Sequence, residues 1–182
     1  MKKILLFFIA VITVSYCSFA QTNLDKLKIV FIRHAEKPEK GDNLTCQGLN
    51  RSFLLPKMIT TKFGVPDYLF IPAMALDTNT KHSRMFQTLI PLAVKYNLHF
   101  NSKHQEKDYA VIAADIKSKT GTVLVCWEHK AIPFIAEALG IKDKLKWEDD
   151  DYETIWIVTF KNGNAIMEKD KEGLNPLPDC SF

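Results

Sequence analysis

The sequence predicts an α/β fold: a three-layer sandwich with a mostly parallel central sheet, helices on both faces and a C-terminal antiparallel hairpin. Three observations predict it. Short apolar runs rich in β-branched and aromatic residues alternate with segments of helical spacing. The runs are continuous rather than alternating polar and apolar, as suits strands covered on both faces. The chain then closes on two strand-like runs joined by "KNGN", the mark of a hairpin.

The elements follow in order. "LKIVFIR" (27–33) is the first strand. Gln47 to Phe63 follows Thr45, a residue suited to capping a helix. "DYLFIP" (67–72) is the second strand, and Ser83 to Tyr96 places Met85, Leu89 and Ala93 at helical spacing. Asp108 to Lys117 is a third helix and "GTVLVCW" (121–127) a third strand. Ala131 to Leu139 is a fourth helix, stopped by Gly140. "YETIWIVTF" and "AIMEK" make the hairpin. The acidic run Glu148 to Asp151 reads as a solvated connection before it, and the tail from Gly173, with its prolines and no periodicity, as irregular chain over the surface.

The first segment stands apart from this domain. Lys2 and Lys3, the apolar run Ile4 to Val14 and the small residues of Ser18-Phe19-Ala20 predict a secretory signal cleaved after Ala20. The run falls short of the ~20 apolar residues that a spanning helix needs. The expected domain is therefore residues 21–182, exported to a periplasmic or extracellular setting, with no stable membrane insertion once the signal is removed. The signal carries two lysines and no acid, so the formal charge of +3 falls to +1. A nearly neutral domain without a basic stripe argues against a nucleic-acid partner. Cys46, Cys126 and Cys180 remain, enough for one internal bridge whose pairing is open. Cys126, within an apolar run, reads as a buried small hydrophobe. No CxxC spacing supports a zinc or redox site.

In a parallel α/β sheet, ligands bind beyond the carboxyl ends of the strands. Arg33-His34 ends the first strand and Glu128-His129 ends the strand 121–127, while Arg84 opens the helix after the second strand. One histidine at a strand end is ordinarily a polar group meeting solvent. Three strand ends that deliver cationic groups to one rim, beside helix N-termini, make a site for phosphate. His82, His99 and His104 lie in polar surroundings and read as surface residues.

These residues resemble a family. "IRHAEKP" looks like the R-H-G/A-E signature of the histidine phosphatase superfamily, the phosphoglycerate mutase-like proteins. "LTCQGLNR" (44–51) resembles its L-T-x-x-G-x-x-R. "SRMFQTLIPLA" (83–93) resembles its S-x-R-x-x-Q-T helix, one residue shorter before the arginine. "TVLVCWEHKAIPFIAEALG" (122–140) resembles the strand, second histidine and following helix. The resemblance spans residues 27 to 140, in the family's order.

It implies phosphoryl transfer by a metal-free route. His34 would attack phosphorus and carry the phosphoryl group, which water then releases. Arg33 and Arg84 would grip the non-bridging oxygens, and His129 would add a donor as charge builds. Glu128 stands where many members have Gly, and it is the favoured general acid, ahead of Glu36, Glu106 and Asp108; Glu36 reads equally as a partner of Arg51. Residues 97 to 107 are too few for the insertion that mutases carry, so hydrolysis is preferred to a mutase-like phosphotransfer, and the mixed charges of "EKPEKGDN" (36–43) suggest a small polar phosphate ester. The alternatives are a non-catalytic phospholigand-binding envelope protein of the same fold, and a metal-binding module using His82, His104 and His129. Neither the ester nor the oligomeric state is written in the sequence.

Overall fold

The computed structural model describes residues 24–75 and 82–180; the expected signal segment lies outside the described residues. The elements run β1 (Leu27–Arg33), α1 (Cys46–Phe63), β2 (Tyr68–Phe70), α2 (Ser83–Tyr96), β3 (Phe100–Asn101), α3 (Tyr109–Lys117), β4 (Gly121–Trp127), α4 (Ile132–Leu139), β5 (Thr154–Lys161) and β6 (Asn164–Lys171). They form one six-stranded sheet of order β3-β2-β4-β1-β5-β6. Strands β3, β2, β4 and β1 are parallel, and β5 and β6 add the antiparallel edge.

Period-two geometry explains the continuous apolar runs. On β1, Ile29 and Phe31 face one layer while Val30 and Ile32 face the other, and all four are buried. On β4, Val123 and Val125 pair with the first layer, Leu124 and Cys126 with the second. The first core is closed by Ile112 and Ile116 of α3 and Ile132 and Ile135 of α4. The second is closed by Leu55 and Ile59 of α1 and Leu89 and Leu92 of α2. Each such side chain contributes about 1.5–3 kcal/mol by leaving water. The hairpin turns at Asn162-Gly163, both at positive φ, which is the backbone that right-twisted strands need.

Two features differ from the sequence reading, and a third settles what it left open. β3 was not foreseen: two residues leave no periodic signal, and the strand exists because β2 pairs with it. His104, expected at the surface, is buried, with Nε2 bonded to Asp115 Oδ2 at 2.9 Å. Burial alone would raise the Asp115 carboxyl, but hydrogen bonds from His104, Lys119, Asn101 and Lys103 hold it well below the usual range. The pairing of cysteines is settled as Cys46–Cys180, which ties the tail to the start of α1, with Cys126 free and buried. The tail itself runs without helix or strand from Gly173, as expected. Among the described residues no helix is long and apolar enough to cross a membrane.

Candidate active site

The register sets the site. Arg33 of β1 pairs with Trp127 of β4, and the His34 amide donates to the Trp127 carbonyl at 3.2 Å. His34 and His129 therefore leave adjacent strands at the same edge, one and two residues past that pair. Both are buried, at 1% and 4% exposure. Apolar strands buried on both sides thus carry polar ends that are themselves largely buried.

His34 is fixed at one nitrogen. Its Nδ1 lies 2.7 Å from the Ala35 carbonyl, which can only accept, so Nδ1 carries the hydrogen and Nε2 keeps the lone pair. Burial pushes its pKa down to about 4; Arg33 and Arg84 push the same way, while the Ala35 bond and Glu128 oppose them. The ring is neutral, with Nε2 unprotonated.

Arg33 lies flat on Tyr152, its guanidinium carbon 3.9 Å from the ring centroid. One terminal nitrogen donates to the carbonyls of Asp149 at 2.6 Å and Asp151 at 3.3 Å, and the other to the Tyr152 hydroxyl at 3.3 Å. Burial draws this guanidinium below its usual pKa. Arg84, near the N-terminus of α2, donates to the Gly41 carbonyl and so pins the loop between β1 and α1. What both arginines leave over matters most. Arg33 Nε, Arg84 Nε and His129 Nδ1 are buried nitrogens with no hydrogen-bond partner among the described residues. Buried donors without acceptors are costly and rare.

His129 lies between two carboxylates. Nε2 is 2.7 Å from Asp149 Oδ1, and Glu128 Oε1 is 2.6 Å from Nδ1, at an angle that makes an ion contact rather than a hydrogen bond. The run Glu148 to Asp151 is accordingly more than the solvated connection it reads as. Asp149 is largely exposed, yet its side chain reaches His129 and its carbonyl holds Arg33. The contacts are made largely by backbone, which has no side-chain signature in a sequence.

The carboxylates considered as proton donors separate clearly. Glu128, favoured by the sequence reading, lies at the site: burial would raise its carboxyl, but His129 and the Lys130 amide outweigh burial and hold it below the usual range. A carboxyl so held has no proton to give near neutral pH. Glu36 receives Arg51 on both oxygens, at 2.8–3.0 Å, as its alternative reading expects. Asp108 accepts the Gln105 amide at 3.2 Å at the start of α3. Glu106 Oε2 lies 2.8 Å from His82 Nε2, while His82 Nδ1 donates to the Ala73 carbonyl at 2.8 Å. His82 is thus no free surface residue; it precedes Arg84 by two positions and sits at positive φ. His99 is exposed.

The loop carrying Glu36 is held from below. Thr45 caps α1 by accepting the Gly48 amide at 3.1 Å and donates its own amide to the Glu36 carbonyl at 2.9 Å. A Cβ on Gly48 would stand 2.4 Å from the Glu36 carbonyl oxygen, so only glycine lets the helix approach this closely. Arg51 then gathers Glu36, Glu153 (2.5 Å) and Glu172 (2.6 Å), joining the loop to both strands of the hairpin. No group of three or more His, Cys, Asp and Glu among the described residues is arranged to hold a metal. His82, His104 and His129 each pair with a different carboxylate, so the metal-module alternative lacks a common centre.

No protein-family model matches the chain, and no curated protein is similar to it in sequence. Solved structures are similar in fold. A protein histidine phosphatase SixA, complexed with tungstate, superposes with a TM-score of 0.61 at 16% identity, covering 80% of this chain and 97% of that one. A mycobacterial glucosyl-3-phosphoglycerate phosphatase with inorganic phosphate gives 0.56 at 10% identity, covering 79% and 95%. A phosphoserine phosphatase mutant from Entamoeba histolytica, in complex with phosphoserine, gives 0.52 at 13% identity, covering 81% and 97%. These likenesses run over nearly the whole of each partner, and this chain shares their fold.

Proposed function

We propose that the chain hydrolyses phosphomonoesters through a phosphohistidine intermediate on His34, without a metal. One observation carries the reading: buried arginine nitrogens without hydrogen-bond partners, on Arg33 and Arg84, and His129 Nδ1 with only an ion contact to Glu128, accompany a histidine whose free lone pair is on Nε2. A tetrahedral oxyanion placed over Nε2 would supply the missing acceptors. The phosphatases of like fold support it, as does the sequence resemblance.

In the first step Nε2 attacks phosphorus as the ester oxygen leaves. The arginines are donors of fixed geometry, Arg33 clamped by two carbonyls and a tyrosine ring, so little reorganisation accompanies the charge that develops. His129, held at Nε2 by Asp149 and with Glu128 beside Nδ1, adds an Nδ1–H donor to the same charge when that nitrogen carries hydrogen. The leaving oxygen needs a proton, and the His82–Glu106 pair is our candidate source. His82 Nδ1–H is committed to a carbonyl, so the bond between Nε2 and Glu106 holds one exchangeable proton, on whichever partner. The pair adjoins the end of β4, where Trp127 Nε1 donates to the Glu106 carbonyl at 3.0 Å. In the second step the same pair takes a proton from water, which attacks the phosphohistidine and frees His34 and phosphate.

The test is hydrolysis of an aryl phosphate by residues 21–182 in EDTA, beside His34→Ala. Activity that survives the chelator and is lost in the variant is expected. Phosphate binding without turnover in the parent protein would favour the non-catalytic phospholigand-binding reading.

A further inference from the structure

A groove of about 890 Å³ opens directly beside the candidate site. His129 and Asp149 form one end of it, and it runs between the outer face of α4 and the segment 140–149. Its size is that of pockets enclosing whole drug-sized ligands, far more than a serine-sized leaving group fills. Its lining is unexpectedly apolar for a rim at a phosphate site: Pro133, Phe134, Ile141, Leu145 and Trp147. Phe134 is 51% exposed, yet its ring is held by stacking on Tyr109 at 5.1 Å between centroids. Lys142, Lys144 and Lys146 also line it, and exposed lysines lay their hydrocarbon stems along such walls while their ammonium groups stay in water.

We infer that this groove is the leaving-group subsite and that the substrate is a monoester of a bulky apolar alcohol or phenol, not the small polar ester that the mixed charges of the 36–43 loop suggest. The inference rests on the proposed phosphatase reading. It follows from continuity, since the second histidine and its carboxylate partner belong to both the phosphate end and the groove, and from wall chemistry. A ring seated on Phe134 and Leu145 buries apolar surface that water otherwise covers, whereas a serine or glycerol leaving group would reach none of it. The groove acts on binding and leaves the chemistry at phosphorus to His34.

Two ligands of similar leaving-group basicity separate the groove from the chemistry: phenyl phosphate and 2-naphthyl phosphate. Calorimetric titration of the His34→Ala protein, which binds without turning over, is expected to give about tenfold tighter binding of the naphthyl ester, the worth of four half-buried ring carbons. Phe134→Ala, and separately Leu145→Ala, built on the same protein, are expected to erase most of that preference, weakening the naphthyl ester more than the phenyl ester, and to leave inorganic phosphate binding unchanged. Equal affinity for the two esters, or a preference that survives both variants, overturns the groove. Parallel turnover assays on protein with His34 intact report on the other reading: no hydrolysis of either ester would defeat the phosphatase proposal, while the titration still judges the groove.

Discussion

Two buried arginine environments, one at the end of β1 and one on α1, bear comparison. Arg51 is saturated: its guanidinium meets Glu36, Glu153 and Glu172, and its pKa is raised, burial being outweighed by those carboxylates. Arg33 has carbonyls, a hydroxyl and a ring around it but no carboxylate bonded to it, and one nitrogen left over; its pKa is lowered by burial. A guanidinium whose charge is cancelled within the protein fastens elements together. One whose charge is left open, with a spare donor, is available to an anion from outside. The contrast gives a physical criterion for telling structure from function when both arginines are equally buried.

The comparison breaks most visibly at Arg51. Replacing it with alanine leaves three carboxyl groups without their partner, one of them, Glu172, buried, and is expected to cost about 3–5 kcal/mol in urea unfolding. Arg33→Lys is the complementary change. It keeps the charge and loses the planar fork, so we expect about a hundredfold loss in kcat/KM with urea stability within about 1 kcal/mol of the parent. An outcome with the two effects exchanged would refute the distinction. Asp149→Asn comes next: the amide can still accept from His129 Nε2 but carries no charge, and about a tenfold fall in kcat with little change in KM is expected.

The saturated cluster also has a pH signature. Burial pushes the Glu172 carboxyl up to about 8; Arg51 opposes this, and Glu153 and Glu36 reinforce it. The native state then binds a proton that the unfolded chain releases near 4.5, so this contribution to stability is complete below that value and is lost as pH rises through about 8. Glu172→Gln, neutral at every pH, is expected to unfold at higher urea than the parent at pH 9, by the equivalent of about 1 kcal/mol, and to show no such gain at pH 5. The open site behaves oppositely. The His34 ring is held down at about 4, so the acid limb of kcat/KM assigned to the nucleophile is expected near pH 4 rather than 6.5.

The sequence made one of these environments legible and hid much of the other. Arg33-His34 and Glu128-His129 were readable because strongly apolar strands ended on them, and parallel topology converts strand ends into a shared edge. The four parallel-sheet helices and the Asn162-Gly163 turn were readable for the same local reasons. Asp149 and Tyr152 were not: an acidic run before a strand has the composition of a solvated loop, and its grip on Arg33 is made by carbonyl oxygens. His104 looked like a surface residue because its partner Asp115 is eleven positions away and only the fold brings them together. Glu128 is a different case. Its position at the site was evident, but the direction in which its carboxyl is shifted depends on His129 and the Lys130 amide, which is geometry rather than spacing. The tail's disulfide could not be chosen from three cysteines without knowing that the tail returns across α1, where Asn50 also holds the Leu177 and Asp179 carbonyls.

The central claim is that His34, and no other residue, carries the phosphoryl group. The most direct measurement is to mix the protein with excess aryl phosphate, quench in alkaline denaturant within the first turnovers, and locate the added mass of one phosphoryl group by peptide mass spectrometry. The account predicts an acid-labile label confined to the peptide containing His34 and absent from His34→Ala. Turnover that persists in His34→Ala, or a label on any other residue, would contradict it.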